Sequence, residues 1–364
     1  MAISRRKFLK GTAFLGGSLL LQSHSAREQF QDDQTDGASG ATPEEDQGNG
    51  WKPAYLKLEE EGLFEARVEE AYRHLERCDL CPRQCGVNRL RGERGLCRAP
   101  GKVMVYTAQP HYGEEIPLVG RGGSGTIFFS NCNLRCVFCQ NWPIAHEGRG
   151  REIEDGELAS LMLRLQRIGC HNINVVTPTH VMPHILAATR IAMKQGLRLP
   201  LCYNTGGYER VEMVRLLEGI VDIYLPDLKM MDGQESVRYL GTAANYPEHA
   251  RDSIREMHRQ VGDLVTDHQG IALRGVMIRH LVMPKRIAGT REFVDWVAST
   301  LSPETYVNIM SQYRVEHRAF EYPRIARSIN PQEFVEAMTW AQEAGLTNLD
   351  RRSMAQLEHF RGRL

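Results

Sequence analysis

Short apolar runs rich in β-branched residues alternate with segments of helical period from residue 126 onward. Six of these runs predict strands, at Thr126–Ser130, Ile173–Thr177, Leu199–Tyr203, Val221–Leu225, Val276–Leu281 and Tyr306–Met310. The segments between them carry apolar faces, and the first of these faces consists of Leu158, Leu161, Met162, Leu165 and Ile168. Strands that alternate with helices indicate βα units and a parallel sheet.

We therefore predict an α/β fold, a (β/α)6 partial TIM barrel with a small N-terminal cysteine-rich extension. A doubly wound sheet is the alternative, because counting elements does not distinguish barrel closure from an open twist. In barrels of this kind the active residues lie where strands end and loops begin.

The rest of the chain differs from this pattern. Residues 1–26 combine Arg5 and Arg6, a short apolar run and small residues, which is typical of a twin-arginine signal, and an ordinary basic amphipathic N-terminus is the alternative. A helix is predicted over Glu59–Arg77. We divide the chain into a signal (1–26), a disordered linker (27–50), an N-terminal cysteine-rich region (51–119), the barrel (120–345) and a C-terminal tail (346–364).

The signal determines the predicted location. Its apolar run, Gly11–Leu21, is too short to cross a bilayer as a mature helix, so we predict no stable membrane span. We predict export to the periplasmic or cell-surface side, with a cytoplasmic location as the alternative.

Charge makes nucleic acid an unfavourable partner. The 364 residues include 45 basic and 45 acidic ones, and leaving out the four basic residues of the signal gives 41 against 45. Because nucleic-acid-binding domains usually carry a basic patch or stripe, we predict no nucleic-acid partner.

Nine cysteines are too few for a disulfide scaffold in a chain of this length. Cys132, Cys136 and Cys139 follow the first predicted strand with the spacing C-x3-C-x2-C. Three thiolates on one loop can hold three irons of a four-iron, four-sulfur cube, which normally has four protein thiolates. The fourth iron would then have an open coordination position, as reactive metal sites do.

This spacing, with an aromatic Phe138 before the third cysteine, resembles the radical S-adenosylmethionine (SAM) superfamily. The stretches 78–85, 125–130, 174–180 and 306–313 are similar to an uncharacterised branch related to pyruvate formate-lyase activating enzymes. The resemblance implies a [4Fe-4S] cluster whose open iron chelates the amino and carboxylate groups of SAM. An electron from the cluster cleaves the sulfonium, and the 5′-deoxyadenosyl radical abstracts a hydrogen atom from the substrate.

The resemblance also suggests cofactor-binding residues. Phe138 matches a family residue that lines the adenine pocket. Many members carry a Gly-Gly-Glu run after the second strand that binds the methionine amino group, and this chain instead has Thr177, Pro178, Thr179 and His180. Thr177 and Thr179 can supply hydroxyl acceptors, but the carboxylate is missing. His180 is a proton donor, a substrate contact or a structural histidine.

Polar residues follow the next strands as well. Asn204 suits a ribose or carboxylate, and Asp227 with Lys229 looks like the Asp-x-Lys of the activating enzymes, a local ion pair being the alternative. Arg279 would point into the barrel and needs an anionic partner, for which we predict the SAM carboxylate or the substrate. The aperiodic stretch of about twenty residues after Met310 is a candidate lid.

The first cysteine group has the spacing C-x2-C-x3-C-x11-C and consists of Cys78, Cys81, Cys85 and Cys97. We predict a second metal site, and the spacing alone does not choose between zinc and an iron–sulfur cluster. Two disulfides are the alternative, and export would favour them. The two remaining cysteines are most simply buried apolar residues.

We therefore predict a radical SAM enzyme, activating-enzyme-like, whose unknown substrate could be a glycine in a partner protein. A flavodoxin or ferredoxin would supply electrons. A non-catalytic iron–sulfur electron carrier is the alternative, but a carrier needs no unligated iron, so three cysteines favour the enzyme. SAM and low-potential reductants are expected inside the cell, which conflicts with the predicted export. The sequence identifies no catalytic side chain.

Overall fold

The computed structural model describes residues 50–241 and 244–362, which belong to one compact unit. Residues 1–49, with the predicted signal and nearly all of the predicted linker, lie outside the described residues. The described strands are β1 (Val103–His111), β2 (Ser124–Phe129), β3 (Arg151–Ile153), β4 (Ile173–Val176), β5 (Leu201–Thr205), β6 (Ile223–Pro226), β7 (Val265–Thr266), β8 (Ala272–Leu281) and β9 (Tyr306–Met310). The described helices are α1 (Ala54–Glu60), α2 (Phe64–Arg73), α3 (Ile116–Val119), α4 (Trp142–Ala145), α5 (Asp155–Ile168), α6 (Met182–Lys194), α7 (Val211–Leu216), α8 (Gly233–Leu240), α9 (Tyr246–Val261), α10 (Thr290–Thr300), α11 (Pro331–Glu343) and α12 (Arg351–Arg361).

Six parallel strands form the framework, and they correspond to the six that the apolar pattern predicts: β2, β4, β5, β6, β8 and β9. Their order in the sheet follows their order in the chain without reversal, whereas a doubly wound sheet reverses its direction. The sheet is not closed, because β2 pairs on its outer side with antiparallel β1. The partial barrel is thus confirmed, and the doubly wound alternative is wrong.

Burial on both faces explains why these strands were recognisable. Ile173 and Val175 of β4 and Leu201 of β5 are fully buried, as expected for parallel strands covered by helices. β5 begins at Leu201 rather than at the predicted Leu199, because Pro200 has no N–H to donate to a ladder. None of the helices in the described ranges is long and apolar enough to cross a membrane.

Other elements differ from the expectations. The predicted helix Glu59–Arg77 is two helices, α1 and α2, because Gly62 adopts a φ of +72° between them. The antiparallel strands β1, β3 and β7 were not predicted. The expected C-terminal tail contains α12, and the Asp350 carboxylate caps it by accepting the N–H of Arg352 at 2.8 Å.

Candidate active site

A cavity of about 670 Å³ opens at the carboxyl ends of the parallel strands. The loop after β2, residues 131–141, forms part of its wall and is called the cluster loop below. Cys132, Cys136 and Cys139 all line this cavity, together with residues that end β4, β5, β6, β8 and β9. The three cysteines therefore face the position at which barrels of this kind carry their chemistry.

Hydrogen bonds to α8 hold the cluster loop in place. The N–H groups of Arg135 and Val137 donate to the carbonyls of Leu240 and Tyr239, each at 2.9 Å. These carbonyls end α8 and have no partner within the helix, so the loop and the helix end satisfy each other. The conformation of the cluster loop is thus fixed by backbone hydrogen bonds to α8.

The three thiols are suited to holding iron. None of them is in a disulfide, and the backbone N–H of Leu134 donates to the sulfur of Cys132 at 3.3 Å. Burial raises the pKa of each thiol to about 12. Binding of iron would therefore release protons from all three.

A cation stands beside these thiols. Lys229 forms an ion pair with Asp227, and both line the cavity. Burial acts to lower the pKa of Lys229, but the Asp227 carboxylate offsets this and raises the pKa above its usual value, so the ammonium is retained. Its positive charge acts on all three cysteines of the cluster loop. The predicted local ion pair is present, and it lies at the cavity.

Arg279 lines the cavity, but carboxylates of this chain already face it. Its Nε donates to Glu115 at 2.6 Å, and its Nη2 contacts both Glu114 and Glu115. Asn308 also donates to Glu115, at 2.7 Å. Burial acts to raise the pKa of Glu114, but Arg279 offsets this and the pKa falls to about 2. The expected role of Arg279 toward the SAM carboxylate stays a prediction.

The other predicted cofactor residues fall into two groups. Phe138, Thr177 and Asn204 line the cavity. Thr177 has a φ of +62°, an unusual conformation for a β-branched residue and one that concentrates at functional sites. Thr179 is buried and points elsewhere: its hydroxyl donates to Glu209 at 2.5 Å.

Glu209 is a buried acidic residue behind the cavity wall that the sequence analysis missed. It is 1% exposed, and Thr205, which lines the cavity, also donates to it. Burial raises the pKa of Glu209 to about 7, although the hydroxyls of Thr179 and Thr205 act against this. A carboxyl group thus lies beside Thr179, which belongs to the stretch 177–180 where many family members carry the Gly-Gly-Glu run instead. No sequence signal marked it, because Glu209 lies after the following strand.

The segment after β9 packs on the cluster loop. The N–H of Arg318 donates to the carbonyl of Val137 at 2.8 Å, and the ring of Tyr313 lies 6.0 Å from that of Phe138. Gln312 of this segment lines the cavity. The segment predicted as a candidate lid therefore braces the cluster loop at one side of the cavity.

The family model of the radical SAM superfamily matches residues 126–283. Over 302 residues, 80% of this chain and 82% of the relative, the chain is 34% identical to "Uncharacterized protein MJ0674" of Methanocaldococcus jannaschii. The chain belongs to the radical SAM superfamily, and its three cluster-loop cysteines fit the [4Fe-4S] cluster that the family binds together with SAM.

Two solved structures are more distant. "Structure of TYW1 with a lysine-pyruvate adduct bound" aligns with 60% of this chain and 73% of its own, at 11% identity and a TM-score of 0.37. "Native anSMEcpe with bound AdoMet" aligns with 59% of this chain and 57% of its own, at 12% identity and a TM-score of 0.38. Similarity at this level supports no inference about the site.

Proposed function

We propose that this protein cleaves SAM reductively and uses the resulting radical to abstract a hydrogen atom from a substrate bound in the large cavity. The observation that carries the proposal is that Cys132, Cys136 and Cys139 line one cavity of about 670 Å³ with charged and polar strand ends. The cluster, when bound, supplies one electron, which splits SAM into methionine and a 5′-deoxyadenosyl radical. Abstraction then yields 5′-deoxyadenosine and a substrate radical.

The residues of this chain provide the setting. Phe138 offers an aromatic face, and Asn204 and Asp227 offer acceptors for a ribose or an ammonium group. Lys229 holds positive charge beside the thiolates, which favours the reduced state of a negatively charged cluster. Arg279 is held by its two glutamates, so an incoming carboxylate would compete with Glu114 and Glu115 for its guanidinium.

The experiment is anaerobic. The protein is reconstituted with iron and sulfide, reduced with dithionite and incubated with SAM, and 5′-deoxyadenosine and methionine are measured. We expect both products from the unchanged protein and from Cys170→Ala, which removes a buried cysteine outside both groups, and neither from Cys136→Ala. A fully loaded cluster without cleavage would favour the electron-carrier alternative.

For the substrate we propose a glycine in a partner protein, on the likeness of four sequence stretches to the activating enzymes. Incubating the active protein with candidate partners and recording electron paramagnetic resonance (EPR) spectra tests this. A glycyl radical on the partner supports the assignment. Cleavage of SAM with a radical at another residue or on a small molecule contradicts it.

Two further proposals concern supply and location. We propose a flavodoxin or ferredoxin as electron donor, and export through the twin-arginine segment of residues 1–26. Fractionation of cells with N-terminal sequencing tests export: a mature chain that begins near residue 27, outside the cytoplasm, supports it. Full-length protein in the cytoplasm contradicts it.

A further inference from the structure

The four cysteines of the N-terminal region line a second, separate cavity. Cys78, Cys81, Cys85 and Cys97 surround a space of about 10 Å³. The first, second and fourth are buried and the third is exposed, and none is in a disulfide. We propose that these four thiolates hold a closed iron–sulfur cluster that passes electrons to the cluster loop.

The local backbone resembles that of the cluster loop. Burial raises the pKa of the Cys81 and Cys97 thiols, and the backbone N–H groups of Arg83 and Ala99, each two positions later, act in the opposite direction. In the cluster loop the N–H of Leu134, likewise two positions after the cysteine, donates to the sulfur of Cys132 at 3.3 Å. N–H groups near sulfur favour the thiolate, whereas burial favours the thiol, so a bound metal would be needed to keep the sulfurs of either group anionic.

The buried charge around this cavity also requires an anion. Arg89 is 1% exposed and lines the cavity. Among the described residues, its guanidinium donates hydrogen bonds only to the carbonyls of Pro100 (2.6 Å) and His180 (2.6 Å). An isolated buried cation is costly. Four thiolates on an iron–sulfur core carry net negative charge and would compensate it, whereas two disulfides would not.

His180 supplies a second indication. It also lines this cavity and is fully enclosed, its Nε2 contacts the Ser130 carbonyl at 2.8 Å, and its Nδ1 has no hydrogen-bond partner among the described residues. Buried polar atoms normally have partners, so an orphaned one beside four thiols indicates a bound group.

The spacing of the sulfurs favours a cluster over a single ion. Four sulfurs bound to zinc at about 2.3 Å leave no room between them for a water-sized sphere. The cavity that these cysteines line together with Arg89 and His180 has room for one such sphere, and across 50–241 and 244–362 no three Cys, His, Asp or Glu side chains converge closely enough to hold one ion. The cysteines of the cluster loop share that wider spacing.

The two cysteine groups are adjacent. Arg83 lies between Cys81 and Cys85, and its Nε donates to the carbonyl of Asn133, next to Cys132, at 3.1 Å. Cys97 is close enough to act electrostatically on Cys132. Because four cysteines leave no open iron, the chemistry of such a cluster is electron transfer: a one-electron donor reduces it near exposed Cys85, and it then reduces the SAM-cleaving cluster. This role rests on the proposed function.

Iron counting tests the site independently of SAM chemistry. In the triple variant Cys132→Ala, Cys136→Ala and Cys139→Ala, which lacks the first site, we expect about four irons and four sulfides per chain, against about eight of each in the unchanged protein. One zinc per chain, two disulfides or no metal in this variant overturns the proposal.

The converse variant tests the relay. In Cys81→Ala with Cys97→Ala we expect loss of about four irons, with SAM-sensitive EPR signals retained, and Cys170→Ala is the matched control. SAM cleavage driven by a flavodoxin should fall at least tenfold while dithionite-driven cleavage persists. Equal rates with both reductants overturn the relay. Should the unchanged protein fail to cleave SAM, the proposed function fails, and the iron count still decides the site.

Discussion

Arg279 offers a quantitative test of the cavity wall. Its partners, Glu114 and Glu115, have side chains that are 7% and 1% exposed, and its own side chain is 16% exposed. In Arg279→Met both carboxylates stay buried next to each other without the guanidinium, and only the His111 contact of Glu114 and the Asn308 hydrogen bond to Glu115 remain. Removing one partner of a buried pair costs about 3–5 kcal/mol, and here two acidic groups lose the same guanidinium, so we expect a loss near the upper end of that range.

The assay is urea unfolding under anaerobic conditions, followed by circular dichroism. With a slope of about 3 kcal/mol per molar urea, the expected loss moves the midpoint down by more than about 1 M. Adding Glu114→Gln and Glu115→Gln to Arg279→Met should recover most of the lost stability, since no unpaired carboxylate then remains in this cluster. Arg291→Met, which breaks surface ion pairs, is the control and should leave the midpoint in place. A midpoint for Arg279→Met that matches this control refutes the reasoning.

Three further changes have defined outcomes. Lys229→Met removes the cation beside the cluster-loop thiols and should lower the midpoint potential of the cluster by an amount on the order of 50 mV, measured by EPR-monitored redox titration. The Glu114 carboxylate lies 3.2 Å from Nδ1 of His111 and raises the pKa of this histidine. Stability present below about pH 6.5 should therefore be lost as pH rises through that higher pKa, and the pH dependence of the urea midpoint should flatten in His111→Gln. Gly241→Ala would place a Cβ 2.7 Å from that of Arg135 and should displace the cluster loop, with iron content and melting temperature both reduced.

Each change has a contrary outcome. An unchanged cluster potential in Lys229→Met would show that its charge does not act on the cluster. A His111→Gln protein with unaltered pH dependence would assign the effect to another group. For the glycine, the matched control is Gly270→Ala, which has a similar positive φ of +80° but open space around the new Cβ. Equal iron loss in both glycine variants would attribute the effect to backbone strain alone.

The sequence predicted the parts of this fold that depend on local pattern. Parallel strands covered on both faces appear in the sequence as β-branched runs. The spacing of Cys132, Cys136 and Cys139 identifies the cluster loop. The antiparallel strand β1 was missed because its residues are only partly buried and give no such run. As a result, the acidic residues that follow it were missed too.

Contacts between distant residues explain the remaining gaps. Arg279 suggested an anionic partner, but Glu115 lies 164 positions earlier, and no local pattern connects the two. Thr179 was expected to contact the cofactor, yet its hydroxyl donates a hydrogen bond to Glu209. Nothing in the sequence distinguishes Glu209 from the other acidic residues. The spacing of the cysteines along the chain identified which thiols form a group. The partners of a single charged residue lie far away in the sequence and are brought to it only by the fold.

All seven cysteines of the two groups lie between residues 78 and 139, whereas the far wall of the large cavity comes from Arg279, Asn308 and Arg352. A chain that leaves the ribosome N-terminus first exposes every sulfur ligand well before the residues that will shield them from water and oxygen are made. Metal loading can thus begin before the fold is complete. Iron can therefore reach these thiols during synthesis, before the C-terminal strands dock, as well as through the open cavity of the finished fold.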